Sequence, residues 1–214
     1  MSNITDYLVT KSNGLLKLQP EGQFSSFNSG STEAEVSEFL YALVRNLKPV
    51  NVCETGTFLG ISSAYIGQAL KDNGFGKIHT LEILKENKEK AEKLWEQLEL
   101  NNIECFLESS LTFSPQNNYE FIFLDSNPEI RFGELVKFYP FLKEGGFFGI
   151  HDLPEDLCQG NINPDHKDFN SWPYGDVPDE MRELLRTQKL VRFHLPTPRD
   201  CAFFYKPKPR YYKQ

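Results

Sequence analysis

The chain has 214 residues, 39% of them apolar and 25% charged, with a formal charge of −7. That length suits one α/β domain with a full core, and the composition excludes a disordered chain. The acidic balance argues against nucleic acid as a partner, because such a protein gains nothing from displacing phosphate counterions.

Cys53, Cys105, Cys158 and Cys201 lie far apart and form no CxxC pair. They read as free thiols of a reducing compartment. Residues 1–18 lack the basic start and apolar run of a secretory signal. No stretch approaches the ~20 apolar residues that cross a bilayer. The expected location is cytoplasmic, with no membrane partner.

Residues 1–31, polar and marked by Gly14, Pro20, Gly22 and Gly30, read as an irregular N-terminal arm. Residues 32–214 read as a single domain. Ser31 or Thr32 is placed to cap a helix over 32–47, where Val36, Phe39, Leu40, Leu43, Val44 and Leu47 recur at helical spacing until Pro49. Strands and helices then alternate. Strands are expected at 50–54, 77–82, 103–107, 120–125 and 147–151. Helices are expected at 61–70, 84–100 and 130–142, the last with Leu135, Val136, Tyr139 and Leu142 inward and Gly145 and Gly146 after it.

Residues 153–178 are rich in proline and aromatics and read as a lid-like insertion, where Phe169, Trp172 and Tyr174 either stack on a ligand or anchor a long loop. A helix near 179–188 and strands at 190–195 and 201–206 close the chain, the last two paired antiparallel because their connection is too short for a parallel return. The fold class is α/β: a Rossmann-like, seven-stranded, mostly parallel sheet with a C-terminal antiparallel hairpin and helices on both faces. The basic tail (Lys206, Lys208, Arg210, Lys213) reads as a surface or oligomer-contact arm.

In such sheets ligands bind beyond the carboxyl ends of the strands. The first strand runs into Glu54-Thr55-Gly56-Thr57-Phe58-Leu59-Gly60, a glycine loop that is not GxGxxG. It reads either as a nucleotide-type cradle or as a tight strand-to-helix turn. The second strand ends in Glu82, where an ionised carboxylate suits a ribose diol, or simply faces solvent. Glu108-Ser109-Ser110 follows the third strand and offers either a hydroxyl to an adenine edge or a capped turn. The fourth strand ends in Asp125 and the fifth in His151-Asp152. Asp125 and Asp152 should then be neighbours, and two close carboxylates need a proton, a cation or a cationic ligand between them. His151 beside them suits metal ligation, proton transfer near pH 7, or a plain structural bond to backbone.

Together these segments resemble class I S-adenosylmethionine-dependent methyltransferases. Glu54–Gly60 is similar to motif I in the form used by catechol and caffeoyl-CoA O-methyltransferases, and Glu82 to the acidic ribose ligand. Residues 119–125 resemble motif IV. Leu142-Lys-Glu-Gly-Gly-Phe-Phe-Gly-Ile-His-Asp152 is similar to the His-Asp ending of a bacterial branch that includes sugar and antibiotic O-methyltransferases.

The resemblance implies O-methylation of a small-molecule hydroxyl (sugar, phenol or natural product) with S-adenosyl-L-methionine. It places Glu54, Gly56, Thr57, Gly60, Glu82, Ser109, Ser110 and Asp125 around that cofactor, with Asp125, His151 and Asp152 catalytic. Glu54 and Asp125 would answer its positive charges, and backbone N–H groups near Gly56 its carboxylate. Metal-dependent relatives also imply Mg²⁺ or another divalent cation on Asp125, Asp152 and His151. Homodimers are common among similar proteins.

Two features depart from the relatives. Asp125-Ser-Asn-Pro128 lacks the base of D-x-x-H or D-x-x-K, and His151 stands where catechol-type enzymes carry an acidic metal ligand. The rival readings are a cofactor-binding protein that acts through a partner without methyl transfer, and a NAD-type oxidoreductase, which the missing GxGxxG disfavours.

Overall fold

A computed structural model describes residues 4–152, 191–195, 197, 199, 201–206 and 208. They fall in two compact units, Met1–Phe113 and Ser114–Gln214.

In the first unit the expected irregular arm is partly ordered. It contains helix α1 (Ile4–Lys11) and a two-stranded hairpin, β1 (Gln19–Glu21) with β2 (Phe24–Ser26). The sequence hid α1 because it is short and presents only Leu8 as a fully buried apolar side chain. Its Thr5 hydroxyl donates to Glu38 and accepts from the buried Tyr65 hydroxyl. Tertiary contact, not local propensity, therefore holds this helix.

Helix α2 (Ala34–Leu47) follows, with Glu33 at its N-cap and no side-chain cap bond. Glu33, one residue beyond the expected Ser31 or Thr32, occupies the N-cap position. Lys48 ends α2 in the left-handed region, ahead of Pro49. Next come β3 (Asn51–Thr55), α3 (Ile61–Asn73), β4 (Lys77–Glu82), α4 (Lys85–Leu98) and β5 (Ile103–Leu107). Strands β3, β4 and β5 pair in parallel, with Glu54 opposite Thr80 and Glu82 opposite Leu107. Every residue of α3 from Ile61 to Leu70 is buried, so this helix is enclosed on all sides. Helix α4 buries only Ala91, Leu94, Trp95 and Leu98, and its Lys/Glu run forms exposed i,i+4 pairs such as Lys90–Glu86.

The second unit contains β6 (Tyr119–Leu124), a 3₁₀ turn (Pro128–Ile130), α5 (Arg131–Phe138), a second 3₁₀ turn (Tyr139–Phe141), β7 (Leu142–His151), β8 (Val191–Leu195) and β9 (Cys201–Tyr205). The helix expected over 130–142 is shorter, because Pro140 cannot donate the helical hydrogen bond. Leu142 therefore opens β7 instead of closing a helix. Strands β6 and β7 pair in parallel, with an irregularity between Tyr119 and Phe121, while β9 pairs antiparallel with both β7 and β8.

The α/β class, the parallel strands and the antiparallel ending agree with the sequence reading. The lid-like segment, the helix near 179–188, Cys158, Arg210 and Lys213 lie outside the described residues. Cys53 and Cys201 are buried free thiols and Cys105 is a half-buried one. No described helix is long and apolar enough to cross a membrane.

Candidate functional site

The chemistry-bearing residues form one cluster in each unit. In the first, β3 delivers Glu54 into the interior, where it is fully enclosed. Its carboxylate accepts hydroxyl hydrogen bonds from Ser62 (2.7 Å), Ser63 and Thr80 (2.6 Å). All three donors are neutral. The serines were not singled out in the sequence, although their place just after Gly60, in the first turn of α3, was a usable signal.

The glycine loop is closed by its own backbone. The N–H groups of Gly56 and Thr57 donate to the Leu81 carbonyl (3.0 and 3.1 Å), and that of Gly60 to Thr57 (2.8 Å). Gly56 has φ +83° and Gly60 φ +75°. A Cβ on Gly60 would lie 2.7 Å from both Ala91 and Trp95, whose indole N–H donates to the Gly60 carbonyl (2.8 Å). Gly60 is thus the point where the loop meets α4, and no larger residue fits there. Thr57 points inward, with its hydroxyl 2.7 Å from that of Thr80 and 3.6 Å from the Cys105 sulfur. Burial pushes the Cys105 thiol up to about 11.

Glu82 ties β4 to this loop. One oxygen accepts from the Phe58 N–H (2.7 Å), the other from the N–H groups of Ile83 and Leu84 (2.8 and 2.9 Å). A carboxylate offers about four acceptor positions, so roughly one is left for a ligand. Beside it, Ile83 is 68% exposed, Leu84 56% and Leu107 48%. Ser109 caps a turn: its hydroxyl accepts from the Leu111 N–H, and its carbonyl from those of Thr112 and Phe113. Ser110 is buried.

In the second unit the strand ends bring Asp125, His151 and Asp152 together. One ligand atom from each lies within 4.8 Å of the others. His151 is fully buried, with Nδ1 2.9 Å from Asp125 Oδ1 and 3.7 Å from Asp152 Oδ2. Asp152 has φ +54°, a left-handed backbone that is uncommon for a non-glycine residue. Burial raises its carboxyl above the usual range, and the charge of Asp125 adds to this. His151, Arg131 and Arg199 act in the opposite direction. The departure at residues 126–128 has a local cause. Asn127 accepts from the Glu129 N–H and caps the 3₁₀ turn that Pro128 opens, so this stretch serves as a turn.

The sequence reading missed Arg131, Glu134 and Arg199. Arg131 is wholly enclosed. It donates to the carbonyls of Leu124 (2.8 Å), Ser126 and His151, and lies 3.9 Å from the buried Glu134 and 3.8 Å from Asp152. Arg199 is 3.9 Å from Asp152. The signal was present: Arg131 and Glu134 share a helical face with the buried Leu135 and Phe138, and charges on an apolar stripe need partners.

Asp125, His151 and Asp152 converge as a divalent cation would need, but the guanidiniums beside Asp152 make them a poor fit for the one that metal-dependent relatives imply. Mg²⁺ demands a shell of oxygens. Here the imidazole Nδ1 is engaged with Asp125, and two guanidiniums face Asp152. A dication on Asp152 would meet the repulsion of these two positive charges.

Residues 53–153 match the model of a family described as a methyltransferase domain. Solved structures share the fold over nearly the whole chain. An S-adenosylhomocysteine-bound methyltransferase from Podospora anserina aligns with a TM-score of 0.65 at 13% identity, covering 97% of this chain and 97% of that one. An O-methyltransferase from Bacillus cereus in complex with the same product gives 0.63 at 17%, covering 96% and 91%. The O-methyltransferase TomG from Streptomyces achromogenes, involved in tomaymycin synthesis and bound to S-adenosylmethionine, gives 0.61 at 16%, covering 97% and 100%. No curated protein matches the chain significantly. The match over residues 53–153 and the shared fold agree with the resemblance drawn from Glu54–Gly60, Glu82 and Leu142–Asp152.

Proposed function

We propose that the chain methylates a hydroxyl of a small molecule, with S-adenosylmethionine as donor and the Asp125–His151 pair as proton acceptor. The cofactor supplies a methyl group already activated by the sulfonium, so the protein's work is alignment and removal of the acceptor's proton.

On this reading the Gly56–Gly60 loop, with Thr57, shapes the cradle, and the buried charge of Glu54 makes it attractive to a cationic ligand. Glu82 accepts from a ribose hydroxyl. The exposed Ile83, Leu84 and Leu107 give a purine an apolar surface, with the turn at Ser109 and Ser110 beyond β5. Asp125 serves the positive cofactor as well as the histidine.

The observation that carries the proton-transfer role is the 2.9 Å contact of a buried imidazole with Asp125. A carboxylate that accepts from Nδ1–H directs basicity to Nε2 and stabilises the imidazolium that forms. In the balanced step, the acceptor's O–H proton passes to His151 and its oxygen bonds to the methyl carbon. The carbon–sulfur bond breaks, with its electron pair left on sulfur. Asp152 contributes charge to the same cluster.

Calorimetry with S-adenosylmethionine and S-adenosylhomocysteine, followed by turnover on a panel of phenols, sugars and hydroxylated natural products, tests the reading. Saturable binding with methylated product supports it. Binding without turnover on any acceptor favours a cofactor-binding protein that acts through a partner. No binding of either compound refutes it.

A further inference from the structure

Arg131 has no part in the reading above, yet it bonds to the backbone on both sides of Asp125 and at His151, and lies beside Asp152. Its guanidinium donates to the carbonyl of Leu124 at the end of β6, to that of Ser126 just beyond, and to that of His151 at the end of β7. A guanidinium is a rigid fork of five donors that stays charged at any working pH. It can therefore hold two strand ends in one geometry and place a fixed positive charge between them.

We propose that Arg131 is the resident cation of this site: it positions Asp125, His151 and Asp152 by clasping the ends of β6 and β7, and it fills the electrostatic role a divalent ion has in metal-assisted methyl transfer, so that the reaction here needs no metal. The inference rests on the Asp125–His151 reading of the site. Its basis is contact, charge and donor geometry.

Asp125, Asp152 and Glu134 supply three carboxylates, and Arg131 and Arg199 two guanidiniums. Among the described residues the cluster thus already holds its own cations, set against the carboxylates by contact. Arg131 also fixes Asp152 indirectly. The carbonyl it holds is that of His151, immediately before the left-handed turn at Asp152. As a buried cation with its own charge and hydrogen-bond partners, it has the support that burial of a charge requires.

Mn²⁺ is the probe, read by the electron paramagnetic resonance of the free ion, on the full chain and on Arg131→Met and Arg131→Lys. The wild type is expected to show no saturable Mn²⁺ site, and its turnover to be indifferent to EDTA. Arg131→Met should gain one Mn²⁺ site that a second change, Asp125→Asn, removes. Its kcat should fall about 10- to 100-fold, the usual cost of losing a partner that orients a site, with the S-adenosylhomocysteine affinity retained. Arg131→Lys keeps the charge but not the fork, and should bind no Mn²⁺ while losing part of kcat.

A saturable wild-type site abolished by Asp125→Asn overturns the proposal. So does a folded Arg131→Met protein that binds no Mn²⁺ or keeps full kcat. If Arg131→Met does not fold, the wild type and Arg131→Lys decide: full kcat in Arg131→Lys, or Mn²⁺ binding by either protein, overturns it. Failure of the wild type to bind S-adenosylhomocysteine refutes the functional reading instead, and leaves the Mn²⁺ result standing by itself.

Discussion

The two units each bury carboxylates, and they satisfy them in opposite ways. Glu54 is held by three hydroxyls and Glu82 by three backbone N–H groups, all neutral donors. Asp125 and Asp152 are held by an imidazole and two guanidiniums. Neutral donors stabilise a carboxylate while leaving its field in place, and that suits a region meant to attract a cationic cofactor. Ionisable and cationic partners cancel the field and make the charge of the group depend on where one proton sits, which suits proton transfer. On the proposed function, one residue type serves binding in one unit and catalysis in the other, according to the chemistry of its neighbours.

The largest test of this contrast is His151→Gln. It should lower kcat by about 10²- to 10⁴-fold, the range for loss of a general base, while S-adenosylhomocysteine still binds in calorimetry. A comparable loss of cofactor binding would erase the division of labour.

Next comes Glu54→Leu, which strips the acceptor from three buried hydroxyls. A urea melt should show a loss of about 2–4 kcal/mol. Near-wild-type stability would mean that the hydroxyl cage is not structural. Glu82→Ala should weaken cofactor binding by about tenfold or more, or ~1.4 kcal/mol and upward. Gly60→Ala forces a Cβ against Ala91 and Trp95 at positive φ, and should cost about 1–3 kcal/mol in the same melt.

The smallest effect lies away from both sites, at His79. Burial, helped by the charge of Lys77 and opposed by Glu104, holds this imidazole below its ordinary 6.5. The fold therefore favours the neutral ring. Its contribution is fully present above pH 6.5 and is lost as pH falls below that value, because the unfolded chain takes up the proton first. His79→Gln should flatten the acid limb of stability between the ordinary and the lowered value. An unchanged slope would show that His79 takes no part in it.

Much of this was legible in the sequence because it is local and periodic. The alternation of apolar runs with helical stripes named six strands to within a residue, though β7 starts five residues before the expected 147 and the β1–β2 hairpin was not foreseen, and the placing of Glu54, Glu82, Asp125 and His151-Asp152 at strand ends followed from that register alone. Gly56 and Gly60 could be flagged because tight turns and close approach leave few other choices. The N-terminal helix was not legible, since eight residues with one fully buried apolar side chain carry almost no periodic signal. The end of α5 was misplaced because the stripe of Leu135, Tyr139 and Leu142 outweighed Pro140.

The sequence by itself thus determined the α/β class, the strand-end positions of the acidic groups and the resemblance to methyltransferases. These depend on hydrophobic period, turn chemistry and short motifs, all encoded between near neighbours. Only the tertiary structure decided what each carboxylate faces: hydroxyls from α3 and β4 around Glu54, and the guanidiniums of Arg131 and Arg199 around Asp152. The charge state and chemistry of a buried group are set by partners that are distant in sequence and meet only when strand ends and helix starts converge. No pattern of nearest neighbours could show that a buried arginine meets the strand ends where Asp125 and Asp152 stand.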